Sequence, residues 1–193
     1  MSKAINGQRS AIYPTKRHVH MISQTMLDND TIMDVLRTIP DPEMPISIVD
    51  LGLVERLDVH EEGASVSIDI LPTFVGCPAL PMIEKDIRTK VQAIEGVKEV
   101  AVRFVYDPPW SVDRISKAGR KSLAEHGGTV PETGSKLPVP GHDGTVTLHT
   151  SAIACPFCES NNTRLESSFG PTRCRMIYYC DACRNTFEHM KRV

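Results

Sequence analysis

Two cysteine pairs near the C-terminus constrain this 193-residue chain more than any other feature. Cys155 and Cys158 form one Cys-x-x-Cys pair, Cys180 and Cys183 form a second, and 21 residues lie between the two pairs. Each pair presents two thiolates from a tight turn, and four thiolates complete the tetrahedron that a structural zinc ion prefers. The sequence therefore predicts a zinc ribbon over residues 152–193.

Other uses of paired cysteines fit this chain less well. A redox dithiol calls for one such pair beside a β–α–β pattern, and a disulfide pair calls for an oxidising compartment. Iron is the main rival to zinc, because ligand identity alone does not separate the two metals. A segment of about 40 residues with few apolar side chains needs the metal in place of a core. We expect its strands near 163–167 and 176–179.

Three further residues near the ribbon have simpler interpretations. Cys174 has no partner at Cys-x-x-Cys spacing, so it is expected to be an inert ribbon residue rather than a ligand. His149 and His189 flank the ribbon, and with four thiolates available we expect both on the surface.

The preceding 100 residues alternate helical and strand patterns. Helices are predicted near 30–39, 80–94 and 112–125, and strands near 53–59, 65–70 and 100–104, in the order helix, hairpin, helix, strand, helix. This order predicts an α/β (α+β) domain, a small sheet with packed helices, over residues 28–127. Glu61-Glu62-Gly63 is predicted to be the hairpin turn, and Trp110, after two prolines, is interpreted as a core plug.

The regions outside the two domains lack apolar periodicity. Residues 1–27 are basic and free of acidic side chains, and they are interpreted as a disordered tail. Residues 128–151 are rich in glycine and proline and are interpreted as a linker. No apolar run approaches the roughly 18 to 20 residues that span a bilayer, which indicates no membrane partner.

Charge and motifs exclude several function classes. The net charge is −2, and the ribbon carries six basic and four acidic residues, so no basic patch predicts a nucleic-acid partner. The chain has no Ser/His/Asp arrangement, phosphate-binding glycine loop or His-Glu-x-x-His motif. We therefore expect a protein that is not an enzyme.

Cys77 stands alone where a loop enters the best-patterned helix. Because proline is favoured at the first helical position, Pro78 predicts Cys77 as the N-cap, although Pro81 could delay the helix by a turn. A helix N-terminus would favour the thiolate, the form that binds metal or attacks an electrophile. The alternative is a buried, small apolar cysteine, and position alone does not separate the two.

Several motifs of the first domain resemble those of small iron–sulfur assembly factors. The matching segments are Asp41-Pro42-Glu43, Asp50-Leu51-Gly52, Thr73, Gly76-Cys77-Pro78 and Asp107-Pro108-Pro109-Trp110. With the ribbon and its Phe169-Gly170, Thr172 and Cys174, the whole chain resembles the PaaD family of the phenylacetyl-CoA epoxidase system. Relatives commonly carry a further cysteine near the C-terminus, which this chain lacks.

The resemblance implies a cytoplasmic bacterial protein of phenylacetate breakdown that acts as an accessory maturation factor. It would assemble or deliver iron or a transient iron–sulfur cluster to the oxygenase or the reductase component of the epoxidase. An alternative is a structural or regulatory subunit bound to the oxygenase. The resemblance assigns iron handling to Cys77, Thr73 and Asp50. One thiol cannot hold a cluster, so a homodimer, a partner protein or a small thiol must complete the site.

Overall fold

The structure is a computed structural model that describes residues 27–60, 65–134 and 153–192. The predictions made for residues 1–26, for the Glu61-Glu62-Gly63 turn, for His149 and for the linker from residue 135 onward lie outside these ranges.

The first domain contains a three-stranded sheet in the order β1-β2-β3. β1 and β2 form the predicted antiparallel hairpin, and β3 pairs with β2 in parallel after the chain has passed through a helix. The strands are β1 (Val54–His60), β2 (Ser65–Ile70) and β3 (Glu99–Phe104). The mixed α/β fold class predicted from the sequence is confirmed.

Two helices cover one face of this sheet, and a third ends the domain. They are α1 (Asn29–Arg37), α2 (Leu80–Gln92) and α3 (Lys117–Glu125). On β2, Val66, Ile68 and Ile70 are fully buried. They share one apolar core with the inward side of α2, because a strand alternates its faces and a helix repeats its stripe every three to four residues.

Some helix boundaries differ from the predicted ones. α1 begins at Asn29, one residue before the predicted start, and its N-cap is Asp28, because the Asp28 carboxylate accepts a hydrogen bond from the Thr31 N–H (2.8 Å), three residues on. The predicted last helix is divided into a short 3₁₀ helix, Val112–Arg114, and α3, whose N-cap is Ser116. Trp110 is the predicted core plug, 3% exposed, with its Nε1–H donating to the Leu51 carbonyl (3.1 Å).

The ribbon contains a second sheet, in the order β4-β7-β6-β5. Its strands are β4 (Gly128–Thr129), β5 (Thr163–Ser167), β6 (Arg175–Cys180) and β7 (Thr186–Met190). β5 and β6 were predicted, whereas β4 and β7 were not. β4 begins the segment interpreted as a linker, yet it pairs in parallel with β7, so at least residues 128–129 belong to the ribbon sheet.

The ribbon packs directly against the first domain. Met190 at the end of β7 and Cys174 just before β6 are buried in the main apolar core, together with residues of α1 and α2. At the rim, Arg192 forms an ion pair with Asp113 (3.2 Å). The two domains therefore share one core.

Candidate functional site

The four cysteines of the two Cys-x-x-Cys pairs converge at one end of the ribbon. Their sulfur atoms all lie within 4.8 Å of one another. The Sγ atoms of Cys155 and Cys183 are 3.6 Å apart, and those of Cys158 and Cys180 are 3.7 Å apart. A tetrahedral zinc ion with Zn–S bonds of about 2.3 Å requires sulfur separations of about 3.8 Å, whereas a disulfide requires about 2 Å. The geometry therefore fits zinc, and the predicted ligand set is brought together.

Each pair lies in the same kind of backbone turn. The residue after each second cysteine, Glu159 or Arg184, has a positive φ of 60° or 62°. The N–H of Glu159 donates to the Cys155 carbonyl (2.9 Å), and the N–H of Arg184 donates to the Cys180 carbonyl (2.8 Å). The left-handed residue closes each turn so that both sulfurs face inward, which costs about 1 kcal/mol or more at a non-glycine residue.

The thiols of this cluster do not ionise alike. The backbone N–H of Asn185, with the neighbouring thiols, lowers the pKa of Cys183 to about 7. At Cys158 the Ser160 N–H acts in the same direction, but burial and the other three thiols outweigh it and raise the pKa to about 12. A bound cation replaces the remaining protons, so metal binding here releases protons and weakens in acid.

His189 is not the surface residue that was predicted. It is 8% exposed, its Nδ1 lies 2.8 Å from Thr129 Oγ1, and its ring meets the Tyr178 ring edge-on. The prediction was wrong because it rested on spacing from the cysteines, whereas β7 turns this side chain inward. Burial lowers the pKa of His189 to about 4, so the ring is neutral at pH 7.

Cys77 is half-buried in the loop before α2, but it is not a helix cap. The helix begins at Leu80 with Ala79 as its N-cap and Pro81 inside the first turn, as the alternative based on Pro81 anticipated. The prediction that Cys77 is the cap was therefore wrong. Gly76, with φ of +81°, supplies the left-handed turn that brings the chain to Cys77.

The electrostatic surroundings of Cys77 favour the thiol. Burial raises its pKa, the Ala79 N–H opposes this, and the carboxylates of Glu43 and Asp41 raise it further, as does the Cys174 thiol. Position alone left a thiolate and a buried thiol equally open, and the burial of Cys77, together with the negative charges near it, favours the buried thiol. A metal cation would reverse the balance by stabilising the thiolate.

The other two residues assigned to iron handling have different surroundings. Thr73 is buried, at 7% exposure. Both oxygens of Asp50 accept hydroxyl hydrogen bonds, from Ser47 (2.9 Å) and from Ser116 (2.5 Å). Because Ser116 caps α3, Asp50 ties the loop before β1 to the start of that helix. These contacts of Asp50 are structural, and its role with metal stays a prediction.

Three residues that were not predicted as site residues act electrostatically on Cys77. Asp41 is buried, and Glu43 lies two residues on, where its N–H donates to the Asp41 carboxylate (2.9 Å). Cys174, expected to be inert, lies close enough to raise the pKa of Cys77. The Asp41-Pro42-Glu43 motif was the available signal for the carboxylates. Cys174 was among the residues that carry the family resemblance, but nothing in the local sequence indicated that it lies near Cys77.

Comparisons with known families divide the chain into the same two parts, the α/β domain and the ribbon. Residues 29–103 match the model of the iron–sulfur cluster assembly protein family, and residues 140–191 match the model of the PaaD zinc beta ribbon domain. The fold and the four-cysteine cluster thus define a class of proteins in which an iron–sulfur assembly domain carries a C-terminal zinc ribbon.

Relatives place the chain within that class. The chain is 35% identical over 161 residues, 83% of its length and 90% of the relative's, to an Escherichia coli protein named as the D component of a "Putative 1,2-phenylacetyl-CoA epoxidase". It is also 35% identical over 103 residues, 53% of its length and 97% of the relative's, to the Fe-S protein maturation auxiliary factor of Porphyromonas gingivalis. The chain therefore belongs to the PaaD family.

Among solved structures, the chain resembles a domain of unknown function, DUF59, from Bacillus anthracis. The two are 30% identical with a TM-score of 0.47, over 49% of this chain and 89% of that one. Within residues 27–60, 65–134 and 153–192, no helix is long and apolar enough to cross a membrane.

Proposed function

We propose that this chain is a non-catalytic maturation factor that assembles or delivers an iron or iron–sulfur centre to a phenylacetyl-CoA epoxidase in the cytoplasm. The observation that carries the proposal is that one chain contains both an iron–sulfur assembly domain and a ribbon of the PaaD type. The assembly domain holds the half-buried Cys77. Relatives of the first domain alone are named maturation and carrier proteins, which supports the metal-handling part.

The two metal-binding regions have separate roles in this proposal. The ribbon cysteines form a closed four-thiolate set, which leaves no position for an incoming ligand and suits a structural ion. Cys77 lies outside that set, half-buried and two residues after the exposed Val75, where a client could reach it. Cys77 is the working thiol, and Thr73 and Asp50 are the further residues that the family resemblance assigns to iron handling. The ribbon contributes a docking module for the oxygenase or the reductase component.

The proposal is tested by loading each client separately. The oxygenase and reductase components are each co-expressed with the wild-type chain, with Cys77→Ser or with no factor, and their iron content and turnover are then measured. We expect one client to lose iron and activity several-fold with Cys77→Ser, because serine binds iron more weakly than a thiolate does. Thr89→Ser, on the exposed side of α2, serves as the matched control.

Full iron loading with Cys77→Ser would contradict delivery through this thiol. If the chain also stayed bound one-to-one to the fully loaded oxygenase, it would be a structural subunit instead. Folding of the variant is checked by its urea midpoint, read from the fluorescence of Trp110, the one tryptophan of the chain.

A further inference from the structure

We infer that Cys77 and Cys174 form a second metal site, in which one thiolate from each domain binds a soft or borderline divalent ion such as Fe²⁺. This inference rests on the proposed function, in which Cys77 is the working thiol. Cys174 would supply the second ligand that a single thiol lacks. It assigns Cys174 a role other than that of a ribbon ligand or an inert residue.

Cys174 lies far from the zinc cluster. It comes just before β6, whereas Cys180 is the last residue of that strand. Six residues of extended chain, at about 3.3 Å each, separate the two cysteines by about 20 Å. Cys174 is 4% exposed and belongs to the main apolar core, against which Cys77 and Phe74 also pack.

The residues on both sides of Cys174 hold it against the loops of the first domain. The Arg173 guanidinium carbon lies 5.9 Å from the centre of the Phe74 ring, three residues before Cys77. Arg175 donates to the Glu43 carbonyl (3.2 Å). Because Cys174 lies between these two anchors, it is held at the junction of the Phe74 to Cys77 loop with the Asp41 to Glu43 loop.

Additional contacts hold this arrangement in place. The Lys191 N–H donates to the Cys174 carbonyl (2.8 Å), and the Thr172 hydroxyl lies 3.1 Å from its sulfur. Arg175 also forms an ion pair with Glu188 and donates to Thr172 Oγ1 (2.8 Å). The Arg175 guanidinium is thus already engaged with oxygen atoms.

The donors at this junction suit a cation. The Asp41 and Glu43 carboxylates both act electrostatically on the Cys77 thiol, and Glu43 acts on the Cys174 thiol as well. The Asp41 carboxylate is buried. Thiolates select borderline and soft ions, and neighbouring carboxylates add attraction for any cation. Two thiolates leave coordination positions open, in contrast to the closed ribbon cluster. An open site can pass its ion to a client whose own ligands fill those positions.

The test uses Co²⁺ as a spectroscopic probe, added to the full-length chain after its ribbon has been loaded with one zinc. We expect one further Co²⁺ per chain, with thiolate-to-cobalt charge-transfer absorption and without zinc release. Cys77→Ser and Cys174→Ser should each weaken Co²⁺ binding at least about tenfold, because each removes a direct ligand. Val75→Ser, in the same loop as Cys77, is the matched control and should bind like the wild type.

Because Cys174 is buried, its serine variant could fold poorly, so a measurement on the wild type is added. X-ray absorption at the cobalt edge should count two sulfur neighbours. One sulfur or none, or cobalt that enters only by displacing zinc, would overturn the inference.

The two proposals can fail separately. If Cys77→Ser abolishes client loading while Cys174→Ser leaves both loading and Co²⁺ binding intact, the delivery function stands and the two-thiol site is wrong. If cobalt is bound by two sulfurs but neither variant affects client loading, the site stands and the proposed function is wrong.

Discussion

His189 is a titratable side chain that folding removes from water. Its ring is buried between β4 and Tyr178, where it gains packing contacts and one polar neighbour, Thr129. A neutral imidazole tolerates this site, whereas an imidazolium would lose its hydration, and this loss on burial is what lowers the pKa. The residue thus makes folding sensitive to acid.

The pH dependence follows from the sign of this shift. The pKa of His189 is about 4 in the folded chain and about 6.5 when unfolded, so the unfolded state takes up the proton first as the pH falls. The stabilisation is complete above pH 6.5 and is lost between pH 6.5 and 4. From pH 7.5 to 5, His189 should account for a loss of about 2 kcal/mol.

This prediction is measured by urea unfolding of the zinc-loaded protein at both pH values, beside His189→Asn. Acid weakens zinc binding equally in the variant and in the wild type, but the variant has no histidine at this position to take up a proton. Its free energy of unfolding should therefore fall by about 2 kcal/mol less between the two pH values. Identical pH dependence in the two proteins would show that His189 is already accessible to protons in the folded state.

The ribbon shows, at the scale of an element, how a metal replaces a core. Its own buried cluster contains only Cys155, Tyr178, Cys180 and Phe187, and two of these four are ligands. So little apolar surface does not offset the entropy of ordering β5, β6 and β7. The turns and the strands between them are held in register by the metal and by the main core.

Loss of a ligand should therefore unfold the element. Cys180→Ser removes a fully buried ligand, and we expect zinc content to fall from one per chain to well below half, with loss of strand signal in circular dichroism. Structural zinc contributes about 10 to 16 kcal/mol of apparent binding free energy, more than the ribbon can replace. Thr186→Ser, at an exposed position of β7, is the matched control and should retain its zinc. Zinc at the wild-type level in Cys180→Ser would contradict the assigned ligand set.

In the whole molecule, the two domains are packed together rather than independent. β4 continues the first domain into the ribbon sheet, and Met190 of β7 fills the core of the first domain. Trp110 belongs to that core and reports on it. The Cys77–Cys174 junction depends on the same packing, so metal handling and domain docking are linked in this fold.

Met190→Ala tests this coupling. Although Met190 is a ribbon residue, its truncation should lower the stability reported by Trp110 fluorescence by about 2 to 5 kcal/mol, the range for large-to-small core changes. Met82→Ala, at an exposed position of α2, is the matched control and should remain within about 0.5 kcal/mol of the wild type. A Trp110 midpoint unaffected by Met190→Ala, and by zinc chelation, would mean that the domains unfold independently.

Most elements of the first domain could be predicted from the sequence because their signals are local. The alternation of Val66, Ile68 and Ile70 marks β2, and the stripe from Leu80 to Val91 marks α2. The predictions failed where contacts from elsewhere in the chain intervened. The strand β4 has two residues and no pattern of its own, and it exists because β7 lies beside it.

By itself, the sequence determined the zinc cluster, since four thiols at Cys-x-x-Cys spacing have few other stable arrangements in a reducing compartment. It also determined the order of the α/β elements and the resemblance to the assembly-factor family. Only the tertiary structure decided the surroundings of Cys77, the burial of His189 and the position of Cys174. These depend on residues far apart in the sequence, such as Thr129 and His189, 60 positions apart, and Glu43 and Arg175, 132 positions apart. Their contacts arise from packing rather than from any local pattern.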